Sequence, residues 1–254
     1  MSRVIATLGK GGVGKTTIAA MLVKALAESG AGKVLAIDAD PAGGLGLALD
    51  LPVSKTVNDV RVEIIEAVKQ GSNNKPELAI SLDYRLLDAL SERDNVAFLS
   101  VGRPEEEGCY CQLNTLLREA IEVLSRGFDV TIVDAEAGIE QINRRVMRSV
   151  DVLLLVSDTS LKGMKVASSI AEAAKEAADF SEALFMLNRV RPDESPEVLA
   201  SSWGRQLCAW LPEDEIVHRF DRQGRSFLDL PDCPAYGALS EAMSKLALDW
   251  DRHQ

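Results

Sequence analysis

Six apolar, β-branched runs recur along the chain: RVIATL (3–8), KVLAID (33–38), VAFLSV (96–101), DVTIVD (129–134), DVLLLVS (151–157) and ALFMLN (183–188). They are nearly continuous in hydrophobicity rather than alternating, the pattern of parallel strands covered on both faces. Between and after them, the spacing of apolar positions predicts helices over 15–29, 58–70, 112–126, 139–148, 162–178 and 195–209. This alternation predicts an α/β fold, an open and mostly parallel sheet flanked by helices on both faces. In such sheets ligands bind beyond the carboxyl ends of the strands. The final stretch, ALSEAMSKLALDWDRHQ, predicts an amphipathic helix with Leu239, Met243, Leu246 and Trp250 on one face. Its polar face is mixed in charge, so packing on the core is expected rather than a membrane surface.

Composition narrows the setting. No Pro-, Gly- or Ser-rich linker divides the 254 residues, and KQGSNNKPE (69–77) reads as a surface loop, so residues 1–254 are expected to form one domain. No apolar run is long enough to span a bilayer. Gly9 and Lys10 interrupt the apolar start almost at once, which speaks against a leader and for the cytoplasm. The net charge of −11, with no basic stripe, argues against nucleic acid as a partner. Four cysteines in such a setting are expected to be reduced. Cys208 and Cys233 stand alone beside apolar residues and read as small core fillers. His218 is given no role.

GKGGVGKT at 9–16 has the spacing G-x-x-x-x-G-K-[ST], with a predicted strand before it and a predicted helix after it. Gly9, Gly11, Gly12, Val13 and Gly14 let successive peptide N–H groups turn inward around phosphate oxygens, and the helix start at Thr16 and Thr17 adds positive potential. Lys15 would neutralise the outer phosphates, and the Thr16 hydroxyl would lie on Mg²⁺. Lys10 is a second lysine that such a cradle does not itself require.

KGGVGKTT, followed by IDADPAGGLG (37–46) and VDAEAGIE (133–140), resembles the family containing MinD, ParA and the nitrogenase iron protein. The resemblance implies an ATP-binding homodimer in which Lys10 reaches across a two-fold axis to the nucleotide of the other subunit, acting as an arginine-finger equivalent. It implies that Asp40 positions the attacking water, with Asp38 beside it near the metal, and that Asp134 lies in the outer shell of Mg²⁺ and opens a switch loop containing Gly138. It also implies that Asn188, in LNRV, hydrogen-bonds the adenine edge.

Cys109 and Cys111 stand two apart in EEGCYCQLN. On spacing alone they are equally readable as two small residues at a helix start. Two such pairs brought together on a dyad supply four thiolates, which suit Zn²⁺ in a tetrahedron or Ni²⁺ in a square plane. This stretch, with Tyr110 and Asn114 around it, resembles the CooC-type ATPases, nickel-insertion accessory proteins of carbon monoxide dehydrogenase. The resemblance implies a nucleotide- and metal-dependent homodimer that binds Ni (or Zn) through Cys109 and Cys111, with apo carbon monoxide dehydrogenase or a related nickel enzyme as partner. The rival expectations are a MinD- or ParA-like positioning ATPase and an iron–sulfur-carrying relative of the nitrogenase iron protein. The first would need a membrane-targeting tail or basic DNA contacts, and the second draws its ligands from two well-separated positions.

Overall fold

The computed structural model describes residues 2–30, 32–69, 75–103, 111–135, 146, 149–177 and 179–251. Its strands are β1 (Arg3–Gly9), β2 (Val34–Asp38), β3 (Ser91–Arg93), β4 (Val96–Ser100), β5 (Val130–Asp134), β6 (Ser149–Ser157), β7 (Asp179–Val190) and β8 (Leu207–Pro212). The helices are α1 (Lys15–Glu28), α2 (Gly44–Leu49), α3 (Val57–Lys69), α4 (Lys75–Asp88), α5 (Cys111–Ser125), α6 (Leu161–Ala177), α7 (Pro196–Trp203), α8 (Glu215–Gln223) and α9 (Pro234–Asp251). The strands form one sheet in the order β3-β4-β2-β5-β1-β6-β7-β8. Only β3, paired with β4, runs antiparallel.

The two-residue period of each strand sorts its apolar side chains between two cores. Val4, Ala6 and Leu8 of β1 join Leu35, Ile37, Leu153 and Leu155 on one face, under Val60, Leu86, Ile121 and Ala171 of α3 to α6. Ile5, with Val34, Ala36, Val152 and Leu154, packs on the opposite face against Ile18 and Leu22 of α1 and Leu239 and Met243 of α9. Residues in the middle of the sheet are therefore buried on both faces, which is why those segments read as unbroken apolar runs. From β1 the chain winds outward to β2 and β4, returns at β5, and continues on the other side of β1 through β6 to β8. That reversal opens a crevice beyond the carboxyl end of β1.

The expected sheet is present, and helices α1, α3, α5 and α6 start within a residue of their predicted positions. Two expectations need correction. The helix expected over 195–209 stops at Trp203, because Gly204 adopts φ 68° and its N–H caps the Ala200 carbonyl. The apolar LCAWLP that follows is strand β8 instead. The loop expected over 69–77 is helical again from Lys75. The predicted helix over 139–148 lies outside the described residues apart from Val146, as do Leu246 and Trp250 as regards their side chains. Among the described residues no helix is long and apolar enough to cross a membrane.

Candidate functional site

β1 ends at Gly9, whose backbone passes so close to β6 that an added Cβ would lie 2.2 Å from the Val156 carbonyl oxygen. Gly12 and Gly14 follow at φ +85° and +93°, and α1 begins at Lys15 with no side-chain cap. The first bond of this helical ladder runs from Ile18 N–H to the Gly14 carbonyl at 2.9 Å. The N–H groups of Lys15, Thr16 and Thr17 thus precede the ladder and face the crevice end of the sheet, as an anion site requires. Lys15 is buried, and its Nζ donates to the Lys10 carbonyl at 3.4 Å, which folds the side chain back over the loop. Lys10 is half-buried, and its ammonium makes no hydrogen bond or ion pair among the described residues.

Strand register brings the acidic residues to the same end. Asp38 pairs with Asp134 across β2 and β5, and Asp134 pairs with Thr7 across β5 and β1. Both carboxylates are buried at 1% exposure, which makes their surroundings decisive. Burial, with the charges of Asp134 and Asp40 nearby, pushes the Asp38 carboxyl up to about 6 against the pull of two amide donors. Those donors are Leu45 N–H at 2.8 Å and Asp40 N–H at 3.1 Å. Burial also raises Asp134, opposed by the Thr16 and Thr7 hydroxyls and by Lys15. Its Oδ1 accepts from Thr7 Oγ1 at 3.0 Å, while Oδ2 is buried with no hydrogen bond of good geometry among the described residues. Asp40 is half-exposed, and its Oδ1 accepts from Ala42 N–H at 2.8 Å.

An orphaned buried carboxylate oxygen, a facing threonine hydroxyl and a second buried carboxylate form an all-oxygen donor set. Such a set suits Mg²⁺ with its retained waters and phosphate ligands. The structure thus brings Lys15, Thr16, Asp38, Asp40 and Asp134 to one crevice.

The expected strand β7 and the unexpected strand β8 together contribute a wall of the site, and the apolar pattern predicts only the first. A cleft beside α1 is lined by Asn188, Arg189, Pro212, Asp214, Val217 and His218. Asp214 shapes it by capping two helices: Oδ1 accepts from Ile216 N–H at 2.9 Å and Oδ2 from Ala235 N–H at 3.0 Å. Asn188 is expected from the resemblance to read a base edge. In the fold its Nδ2 donates to the Val13 carbonyl of the glycine loop at 2.8 Å. Two signals point to the β8 wall: Gly204 as a helix stop and the short apolar run after it.

Cys109 lies outside the described residues, and Cys111 opens α5. Among the described residues no group of three or more His, Cys, Asp and Glu side chains is placed to hold a metal ion. Cys233 is buried; Cys208 keeps some exposed surface but packs against the α1 core, and desolvation pushes its thiol up to about 12.

Gly14 offers a direct check of the loop. A Cβ there would lie 2.4 Å from Asn188 Nδ2, at a φ that disfavours any L side chain. Gly14→Ala is expected to cost about 1–2 kcal/mol from the backbone alone. Calorimetry should show a melting temperature lower by about 2–8 °C.

Residues 4–227 match the family described as the CobQ/CobB/MinD/ParA nucleotide binding domain. An uncharacterized ATP-binding protein of Methanocaldococcus jannaschii is 34% identical over 235 residues, which cover 90% of this chain and 92% of the relative. The carbon monoxide dehydrogenase accessory protein CooC of Rhodospirillum rubrum is 27% identical over 240 residues, 90% of this chain and 91% of that protein. Among solved structures, the septum site-determining protein MinD of Pyrococcus horikoshii, complexed with Mg-ADP, matches with a TM-score of 0.71 at 26% identity. That match covers 97% of this chain and 96% of the other. With a glycine loop, a buried lysine and paired carboxylates at the sheet's switch point, and a family match spanning most of its length, the chain belongs to the CobQ/CobB/MinD/ParA family of nucleotide-binding domains.

Proposed function

We propose that the chain binds Mg–ATP in this crevice and hydrolyses it to ADP and phosphate as a homodimer. The observation that carries this reading is Asp134, a buried carboxylate beside the Thr16 hydroxyl and the Lys15 ammonium whose Oδ2 has no hydrogen bond of good geometry among the described residues. A folded protein rarely leaves such an oxygen unsatisfied unless a ligand completes it. Thr16, Asp38 and Asp134 would hold Mg²⁺ directly or through its waters, and the bound ion would neutralise phosphate charge. The loop's N–H groups and Lys15 would bind the phosphates. Asp40, with one oxygen fixed by Ala42 N–H, would orient water against the terminal phosphorus through the other. The new P–O bond forms as the bridging bond to the β-phosphate breaks. Lys10, whose ammonium has no partner within its own chain among the described residues, would reach the nucleotide of a second copy. Asp40→Ala should bind Mg–ATP with wild-type affinity but release phosphate at least about a hundredfold more slowly. An unchanged rate would remove Asp40 from the reaction.

We further propose that Ni²⁺ is the cargo of this dimer, held by Cys109 and Cys111 of both copies and destined for carbon monoxide dehydrogenase or a related nickel enzyme. The support is the Cys-x-Cys pair together with similarity to CooC over nine-tenths of the chain. A positioning ATPase like MinD is the competing reading, favoured by likeness to the Pyrococcus structure. It gives the cysteine pair no task.

A further inference from the structure

A loop whose N–H groups converge on an anion turns the carbonyls of the same peptides outward. The Val13 carbonyl is buried and needs a donor of its own, whereas a donor to the exposed Gly12 carbonyl competes with water to hold that peptide in the same orientation. Here the donors come from β7. The Val13 carbonyl accepts from Asn188 Nδ2 at 2.8 Å, and the Gly12 carbonyl accepts from Arg189 Nη1 at 3.2 Å.

The two donors occupy an irregularity that aims them. Leu187 pairs with Trp210 and Val190 with Pro212, so Asn188 and Arg189 together oppose the single residue Leu211. This is the two-against-one count of a β-bulge, which re-aims side chains. Arg189 sits at φ +59°, a left-handed conformation that costs a non-glycine residue about 1 kcal/mol or more. In that conformation its N–H donates to Asn188 Oδ1 at 3.0 Å. That bond fixes the Asn188 amide with its NH₂ toward Val13; the reverse orientation would set two donors against each other. Gly14 completes the fit, since any side chain there would strike the Asn188 amide.

We propose that Asn188 and Arg189 are positioning residues for the phosphate cradle, holding the Gly12 and Val13 carbonyls outward so that the loop is set before any ligand arrives. The proposal rests on residues 9–17 being a nucleotide phosphate site. It differs from a base-reading role for Asn188 in a measurable way, because a base contact is irrelevant to a ligand without a base. The experiment is calorimetric titration of the full chain with Mg–ATP and with Mg–tripolyphosphate, for wild type, Asn188→Ala, Arg189→Gly and Arg189→Gln. Arg189→Gly removes the guanidinium and relieves the left-handed backbone, so it should melt no lower than wild type. Arg189→Gln removes the charge but keeps a donor.

Asn188→Ala and Arg189→Gly should each weaken tripolyphosphate about three- to tenfold, the scale of one hydrogen bond. ATP should weaken by the same factor, and Arg189→Gln should restore most of the loss. Reduced ATP affinity with unchanged tripolyphosphate affinity in Asn188→Ala would overturn the proposal in favour of base contact. Arg189→Gln falling as far as Arg189→Gly would overturn it for Arg189 in favour of charge alone. Should Asn188→Ala not fold, the two Arg189 variants decide. Wild-type protein that takes up neither ligand would instead overturn the nucleotide reading.

Discussion

Replacing Lys15 with alanine is expected to lower Mg–ATP affinity by about two orders of magnitude or more, while replacing Lys10 leaves affinity near wild type and removes turnover. The two lysines share one loop, and the contrast follows from where each ammonium sits. Lys15 is 9% exposed and bends over the loop to the Lys10 carbonyl, beside the buried Asp134. A polyphosphate entering that space meets a desolvated cation, and removing one partner of a buried ion pair costs about 3–5 kcal/mol. Lys10 is half-buried, and its ammonium has no polar partner in its own chain among the described residues. It contributes little to holding a ligand there and is free to act on a second copy. In the arginine-finger role, its loss should slow hydrolysis about a thousandfold. Titration calorimetry, phosphate release and light scattering separate the cases. Lys10→Ala should bind ATP yet neither turn it over nor dimerise with it. ATP binding at wild-type strength by Lys15→Ala would overturn the placement of the phosphates.

Much of this site is legible in the amino-acid sequence, because its residues lie at or just beyond the carboxyl ends of parallel strands, which strand–helix alternation brings to one edge of the sheet. The glycine loop joins β1 to α1 directly. Asp38 and Asp134 end strands that are neighbours in the sheet, so strand-end position alone places them together. What is not legible depends on contacts far apart in the chain. Nothing local to LNRV says that Asn188 meets Val13, 175 residues earlier. The cleft wall formed by β8 and α8 is hidden for a different reason. The stretch 195–209 carries helix-spaced apolar positions up to and past Gly204, and only the glycine's left-handed turn separates helix from strand. Similarly, β3 and α2 are three and six residues long, too short for periodicity to register. The elevated Asp38 carboxyl is equally out of reach, since it arises from burial beside Asp134 as well as from Asp38's own neighbours in sequence.

Changing Cys109 and Cys111 together to alanine is expected to abolish binding of one Ni²⁺ per dimer while leaving Mg–ATP affinity of the metal-free protein unchanged. Nickel needs thiolates, and Cys111, two residues after Cys109, opens the fifteen-residue helix α5. The other two thiols are poor substitutes. Desolvation pushes Cys208 up to about 12 and raises the buried Cys233, so neither ionises readily near neutral pH. Stoichiometric nickel retained by the double variant would therefore overturn the pair as the site, rather than be ascribed to Cys208 or Cys233. The same titration tests whether metal and nucleotide are linked. If closure of the dimer by ATP changes the spacing of the cysteine pairs, nickel affinity must differ between the ATP and nucleotide-free forms. Linkage then obliges nickel to change ATP affinity by the same factor. Anaerobic calorimetry with each ligand in the presence and absence of the other should return two equal ratios. The double variant should return a ratio of one for ATP at every nickel concentration. Equal ATP affinities with and without nickel in the wild type would leave two independent sites on one chain and remove the switch.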